Sequence, residues 1–124
     1  MTRKQRYASA IRAIEARKDE VSFRRGIRAI RSLASSRYRP ALMALGCFYD
    51  YGLGLPKNPR LAARYYRKAA ERGDGGAQFN LAVSLEFGYG IKRDLAQAKK
   101  WYAAAARKGV KEARGQAARL SKTR

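Results

Sequence analysis

One hundred and twenty-four residues, 46% of them hydrophobic, are enough for one domain around a continuous core, while 29 Lys and Arg against 9 Asp and Glu leave a net charge of +20. Such a field draws any polyanion, whether nucleic acid, anionic lipid or an acidic protein face, and says nothing about fold. A single cysteine and the absence of histidine exclude an internal disulfide and leave a conventional zinc site short of ligands, and no apolar run approaches the ~20 residues of a membrane span.

The N-terminal stretch is basic, but it lacks the unbroken apolar run of an export signal, and Glu15, Asp19 and Glu20 argue against an organelle-targeting peptide. A cytoplasmic chain is therefore expected, with secretion into a host by a route lacking a cleavable signal left open. Within residues 1–39, Tyr7, Ile11 and Ile14 make one helical stripe and Phe23, Ile27, Ile30 and Ala34 make another, so this segment reads as a degenerate helix pair. Residues 40–76 and 77–112 then repeat one another at a shift of thirty-six: Ala41 meets Ala77, Leu45 meets Leu81, Gly52-Leu53-Gly54 meets Gly88-Tyr89-Gly90, Tyr65-Tyr66 meets Trp101-Tyr102, and Gly73 meets Gly109.

Each copy reads as two helices. Ala41, Leu45 and Phe48, like Ala77, Leu81 and Ser84, stand at i, i+4 and i+7 and form a narrow packing face. Gly52 and Gly88 occupy the left-handed position that ends a helix. Asn58 before Pro59 is a second-helix N-cap, and Asp94 with Gln97 has the spacing of a capping box. In the second helices alanines alternate with Tyr65, Tyr66, Trp101 and Tyr102, so that rings fill space above small residues. Ala113, Ala117 and Leu120 start a third first helix that runs into Ser121-Lys122-Thr123-Arg124, making 113–124 a capping helix and basic tail. The expected fold is all-α: a right-handed α-solenoid of stacked antiparallel helix pairs, about seven helices in one continuous domain.

The strings ALMALGCFYDYGLGLPKNPRLAARYYRKAAERG and AQFNLAVSLEFGYGIKRDLAQAKKWYAAAARKG resemble the Sel-one-like repeat, a relative of the tetratricopeptide repeat. The resemblance rests on Ala77, Leu81 and Ala82 (Gly46 in the first copy), the GxG loop, Asp94, and Ala98, Trp101, Tyr102, Ala105, Ala106 and Gly109. It departs from the family pattern at Asn58-Pro59 and at Leu85, and it covers residues 41–120. It implies a non-enzymatic adaptor or scaffold for protein complexes, of the intracellular bacterial kind, without cofactors. The extracellular branch with a disulfide in each helix pair is excluded by the lone Cys47.

The remaining chemistry is sparse. Cys47 matches Val83, a position for a small hydrophobe, and without histidine its thiolate has no general base. The carboxylates form no repeated acid/base pair: Asp94 reads as a cap, and Glu71, Asp74 and Glu86 as solvated surface. The glycines of FGYGIKRD lie between two helices instead of between a strand and a helix, which removes the phosphate-cradle reading. Two surfaces stay as binding candidates. A concave groove lined by first-helix positions Met43, Cys47, Asp50, Phe79, Asn80, Val83, Glu86 and Arg119 suits an extended or helical peptide. On the second helices, Arg28, Arg64 and Lys100 fall in one register and Arg31 and Arg67 in a neighbouring row, forming a basic ladder. The expected partner is an acidic protein or peptide. The alternative is non-specific binding of the nucleic-acid backbone, because the inner positions differ between copies in no coded way.

Overall fold

Residues 1–122, which the computed structural model describes, form seven α-helices and no strand: α1 (Arg3–Ala16), α2 (Glu20–Ser35), α3 (Arg39–Tyr51), α4 (Pro59–Glu71), α5 (Gly75–Phe87), α6 (Leu95–Arg107) and α7 (Lys111–Ser121). The last two residues of the basic tail, Thr123 and Arg124, lie outside the described residues. The main packing runs between helices adjacent in sequence, and the antiparallel pairs stack into a right-handed α-solenoid.

The expected punctuation sets the helix boundaries. Gly52 and Gly88 end α3 and α5 with φ of 70° and 66°, where a side chain on the Cβ would cost energy. The chain then hooks back, with Asn58 N–H donating to the Tyr49 carbonyl and Asp94 N–H to that of Leu85, both at 2.8 Å. Asn58 Oδ1 caps α4 by accepting from Leu61 N–H at 3.1 Å, and Asp94 Oδ1 caps α6 by accepting from Gln97 N–H at 3.0 Å. The capping box expected at Asp94 does not form, because its N–H is already taken by Leu85. Gln97 Nε2 donates instead to Asp94 Oδ2 at 3.0 Å. A true capping box occurs at Thr2 and Gln5, at the start of α1.

The N-terminal pair follows the register of the two clear copies. Arg37 has a positive φ of 60° at the position where Gly73 and Gly109 have 90° and 93°. A left-handed arginine marks where the worn repeat keeps the turn without the glycine.

Small residues let the helices approach. Gly46 lies beneath the ring of Tyr66, so that a Cβ there would sit 2.5 Å from two ring carbons. Gly26 places α2 against Ile14 and the Ala10 carbonyl of α1. Tyr66, Tyr102, Ile30, Leu33, Leu45, Leu81 and Leu85 are fully buried in one cluster that extends from Ala10 to Leu120. Each contributes about 1.5–3 kcal/mol relative to exposure. Tyr65 stacks on Tyr49 with centroids 5.8 Å apart, and Phe79 meets Tyr102 edge-on at 5.4 Å. Tyr66 and Tyr102 thus serve packing, while Tyr65 and Trp101 are half-buried against the same cluster.

Candidate interaction surface

Two of the expected groove residues meet at one phenol. The Tyr66 hydroxyl on α4 donates to Asp50 Oδ2 at 2.9 Å and approaches Cys47 Sγ at 3.8 Å. Burial raises the Cys47 thiol above its ordinary range, with the charges of Asp50 and Asp74 adding to the effect against the Tyr66 hydrogen bond, so the group stays a protonated, half-buried thiol. Burial likewise raises the Tyr66 phenol, with Cys47 and Asp50 adding to it.

The second copy repeats this arrangement with a larger acid. Tyr102 Oη donates to Glu86 Oε1 at 2.8 Å, the same sixteen-residue separation as Asp50 and Tyr66. The other carboxylate oxygen of Glu86 is paired with the Arg119 guanidinium, which α7 brings to the position that Val83 and Cys47 hold in earlier copies. Arg119 also binds Gln116 Oε1 through Nε and one terminal nitrogen. Glu86 is only 5% exposed, which corrects its reading as solvated surface. Tyr102 and Arg119 satisfy both carboxylate oxygens, so the chain can bury the charge. Asp74 is likewise not free surface: it is half-buried and caps α5 by accepting from Ala77 N–H at 2.8 Å. Glu71 is exposed as expected. Of the other groove candidates, Met43, Phe79, Asn80 and Val83 are half-buried on α3 and α5.

The basic ladder residues each line a shallow depression on the second helices. Arg28 and Arg31 border one of about 340 Å³ with Phe23 and Ile27; Arg64 borders one of about 370 Å³ with Leu61; Arg67 and Lys100 border one of about 300 Å³ over Trp101. Four of the five cations are exposed and Arg67 is half-buried; the depression over Trp101 is mainly apolar, while those at Arg28 and Arg64 mix apolar with polar side chains, Glu20 and Asn58 among them.

Two features escape a reading by register alone. The acid-to-tyrosine hydrogen bonds were visible only as a shared spacing, Asp50 to Tyr66 and Glu86 to Tyr102. The second is a row of exposed apolar side chains, Tyr51 and Leu53 in one copy and Phe87 and Tyr89 in the next, flanking the glycine pairs.

No helix among the described residues is long and apolar enough to cross a membrane. No group of three or more potential metal ligands occurs among them.

A profile of the Sel1 repeat matches residues 39–74 and 76–110. Among solved structures, a Sel1 repeat protein from Oxalobacter formigenes superposes with a TM-score of 0.85 at 29% identity, covering 93% of this chain and 86% of the other. A protective antigen of uropathogenic Escherichia coli with an SLR fold matches at 0.80 and 31% identity, over 90% of this chain and 24% of its own. The cysteine-rich protein B of Helicobacter pylori shares the fold at 0.71 and 23% identity, over 93% and 96% of the two chains. In sequence the chain is 37% identical over 67 residues to protein sel-1 homolog 2 of Mus musculus. The match takes in 53% of this chain and spans only 10% of that relative's length. With two matched repeats covering more than half of its residues and helix pairs that superpose on solved members, the chain belongs to the Sel1 repeat family.

Proposed function

We propose that the chain is a non-enzymatic adaptor that docks an acidic protein or peptide along its second helices. Sel1 repeats are typically scaffolds for protein–protein interaction, and the position of the cations makes the partner specific. The carrying observation is that Arg28, Arg31, Arg64, Arg67 and Lys100 all border depressions on the second helices whose linings also include apolar side chains: Phe23 and Ile27, Leu61, and Trp101 in turn. A segment with acids beside apolar side chains matches that alternation, and the wider +20 field speeds its arrival. The half-buried first-helix positions Met43, Cys47, Phe79, Asn80 and Val83 offer a second, more apolar contact for the same partner.

The test is capture from a nuclease-treated lysate, comparing the parent with Arg28→Glu/Arg64→Glu/Lys100→Glu and with a charge-matched control, Arg12→Glu/Arg114→Glu/Lys122→Glu. Acidic proteins retained by parent and control but lost by the ladder variant support the reading. Recovery of nucleic acid alone before digestion, and of nothing after it, overturns it in favour of phosphate-backbone binding with a steep salt dependence.

A further inference from the structure

We infer that the edge formed by the loops from first to second helix is a docking edge for an anionic membrane surface, distinct from the ladder. Among the described residues the large hydrophobic side chains left exposed are Met1, Val21, Tyr51, Leu53, Phe87 and Tyr89. All except Met1 lie on this one edge, at the ends of α3 and α5, in the loops after them, or in the first turn of α2. They repeat in exposure as well as in sequence: Tyr51 and Phe87, thirty-six apart, are 70% and 69% exposed, and Leu53 and Tyr89 are 40% and 39%. A core residue that has drifted outward would not recur at one exposure in successive copies.

The loops are held in line. A Cβ at Gly54 would fall 2.8 Å from the Phe23 ring of α2, and one at Gly90 would fall 2.1 Å from the Pro59 carbonyl oxygen at the start of α4. Each loop is therefore seated on the preceding second helix, and the apolar side chains rise from a fixed crest.

The charge on this edge selects the occupant. Arg17, Lys18, Lys57, Lys92 and Arg93 are exposed in the three loops. The acids there are committed: Asp19 and Asp94 cap α2 and α6, and Glu20 pairs with Arg24 at 2.8 Å. Aromatic and leucine side chains standing on a crest beside an excess of cations have the chemistry that inserts among lipid headgroups, with rings at the polar boundary and ammonium and guanidinium groups against phosphate. A peptide ligand is better served by a depression, such as those on the ladder face.

The test is co-sedimentation of the full chain with vesicles of equal parts phosphatidylglycerol and phosphatidylcholine, and with phosphatidylcholine alone. The parent should partition onto the anionic vesicles. Tyr51→Ser/Leu53→Ser/Phe87→Ser/Tyr89→Ser keeps the +20 charge and should bind at least about tenfold more weakly. Lys57→Gln/Lys92→Gln should lose about fivefold per cation. Arg72→Gln/Lys108→Gln, on turns at the opposite edge, should stay within about twofold of the parent. Brominated lipid should quench the new indole of Phe87→Trp far more than Trp101 of the parent. Unchanged binding by the four-serine variant, with its helical circular dichroism intact, would show attraction by charge alone and overturn the proposal. So would a parent that ignores anionic vesicles, or a serine variant that loses single-stranded oligonucleotide and keeps lipid.

Discussion

The buried carboxylate of Glu86 on α5 is paired with the guanidinium of Arg119 on α7, tying the terminal helix to the second repeat. Tyr102 completes the carboxylate's shell. Removing one member leaves a buried charge with a single donor, whereas replacing the set with apolar groups removes the desolvation cost as well. The N-terminal pair has Ile14 and Ile30 at the positions of Glu86 and Tyr102, both buried in the core. Arg119→Ala should therefore lower stability by about 1–2 kcal/mol in urea titrations. Glu86→Ile/Tyr102→Phe should stay within about 1 kcal/mol of the parent. A double variant that loses more than Arg119→Ala would mean that the ion pair contributes net stability.

The two phenols that meet these acids make a second expectation. Burial is the largest cause raising both Tyr66 and Tyr102 above 10.0, with their hydrogen bonds to Asp50 and Glu86 adding to it, and burial also raises Tyr7. A phenol whose folded pKa exceeds its unfolded value keeps its full contribution below pH 10, and that contribution is lost as the pH rises above it. In ultraviolet titration Tyr66 and Tyr102, of the eight tyrosines, should ionise only as the chain unfolds, and Tyr7 should ionise above the ordinary phenol range. Tyr66→Phe should make the alkaline loss of stability shallower, read as the change in urea midpoint between pH 8 and 11. An unchanged slope would assign the alkaline loss elsewhere.

Much of this was written in local signals. Glycines at helix ends, Asn58 and Asp94 at helix starts, and alanine beside aromatic residues each act within a turn or two of chain, so the helix pairs follow from short windows. What a window does not carry is the meeting of residues that close in space from different helices. Glu86 looked like surface because it lies at the end of a first helix. Only α7, with Arg119 in place of Val83, supplies the cation that makes its burial tolerable. The exposure of Arg28, Arg31, Arg64 and Lys100 was legible because charge is nearly always solvated. The apolar crest was not, since flanking a glycine pair does not reveal whether a ring turns inward, as Tyr49 does, or outward, as Tyr51 does.

Two glycines inside helices separate in the structure. Gly46 in α3 lies under the Tyr66 ring, 2.5 Å from where a Cβ would stand, while Gly115 in α7 has open space around that point. Gly46→Ala must push a fully buried ring aside and should cost about 1–3 kcal/mol. Gly115→Ala removes unfolded-state freedom in an ordinary helical position and should add about 0.5–1 kcal/mol. Thermal melts of the two variants should move in opposite directions. A neutral Gly46→Ala would mean that the Tyr66 ring has room to yield.

Gln78 on α5 is buried where the first copy has Leu42, itself 2% exposed. Its Nε2 donates to the Ala70 carbonyl at 3.2 Å, but its Oε1 has no partner among the described residues. The Ala70 carbonyl also accepts from Gly73 N–H at 3.0 Å, so removing the amide leaves that acceptor satisfied. Gln78→Leu exchanges an unpaired buried oxygen for a side chain that the same site already holds one repeat earlier. It should raise stability by about 1 kcal/mol in urea denaturation, with no change in the slope of the transition. Gln78→Glu, which leaves a buried charge without a cation, should lower it by more than that. A destabilised Gln78→Leu would show that the amide's bond to Ala70 outweighs its unpaired oxygen.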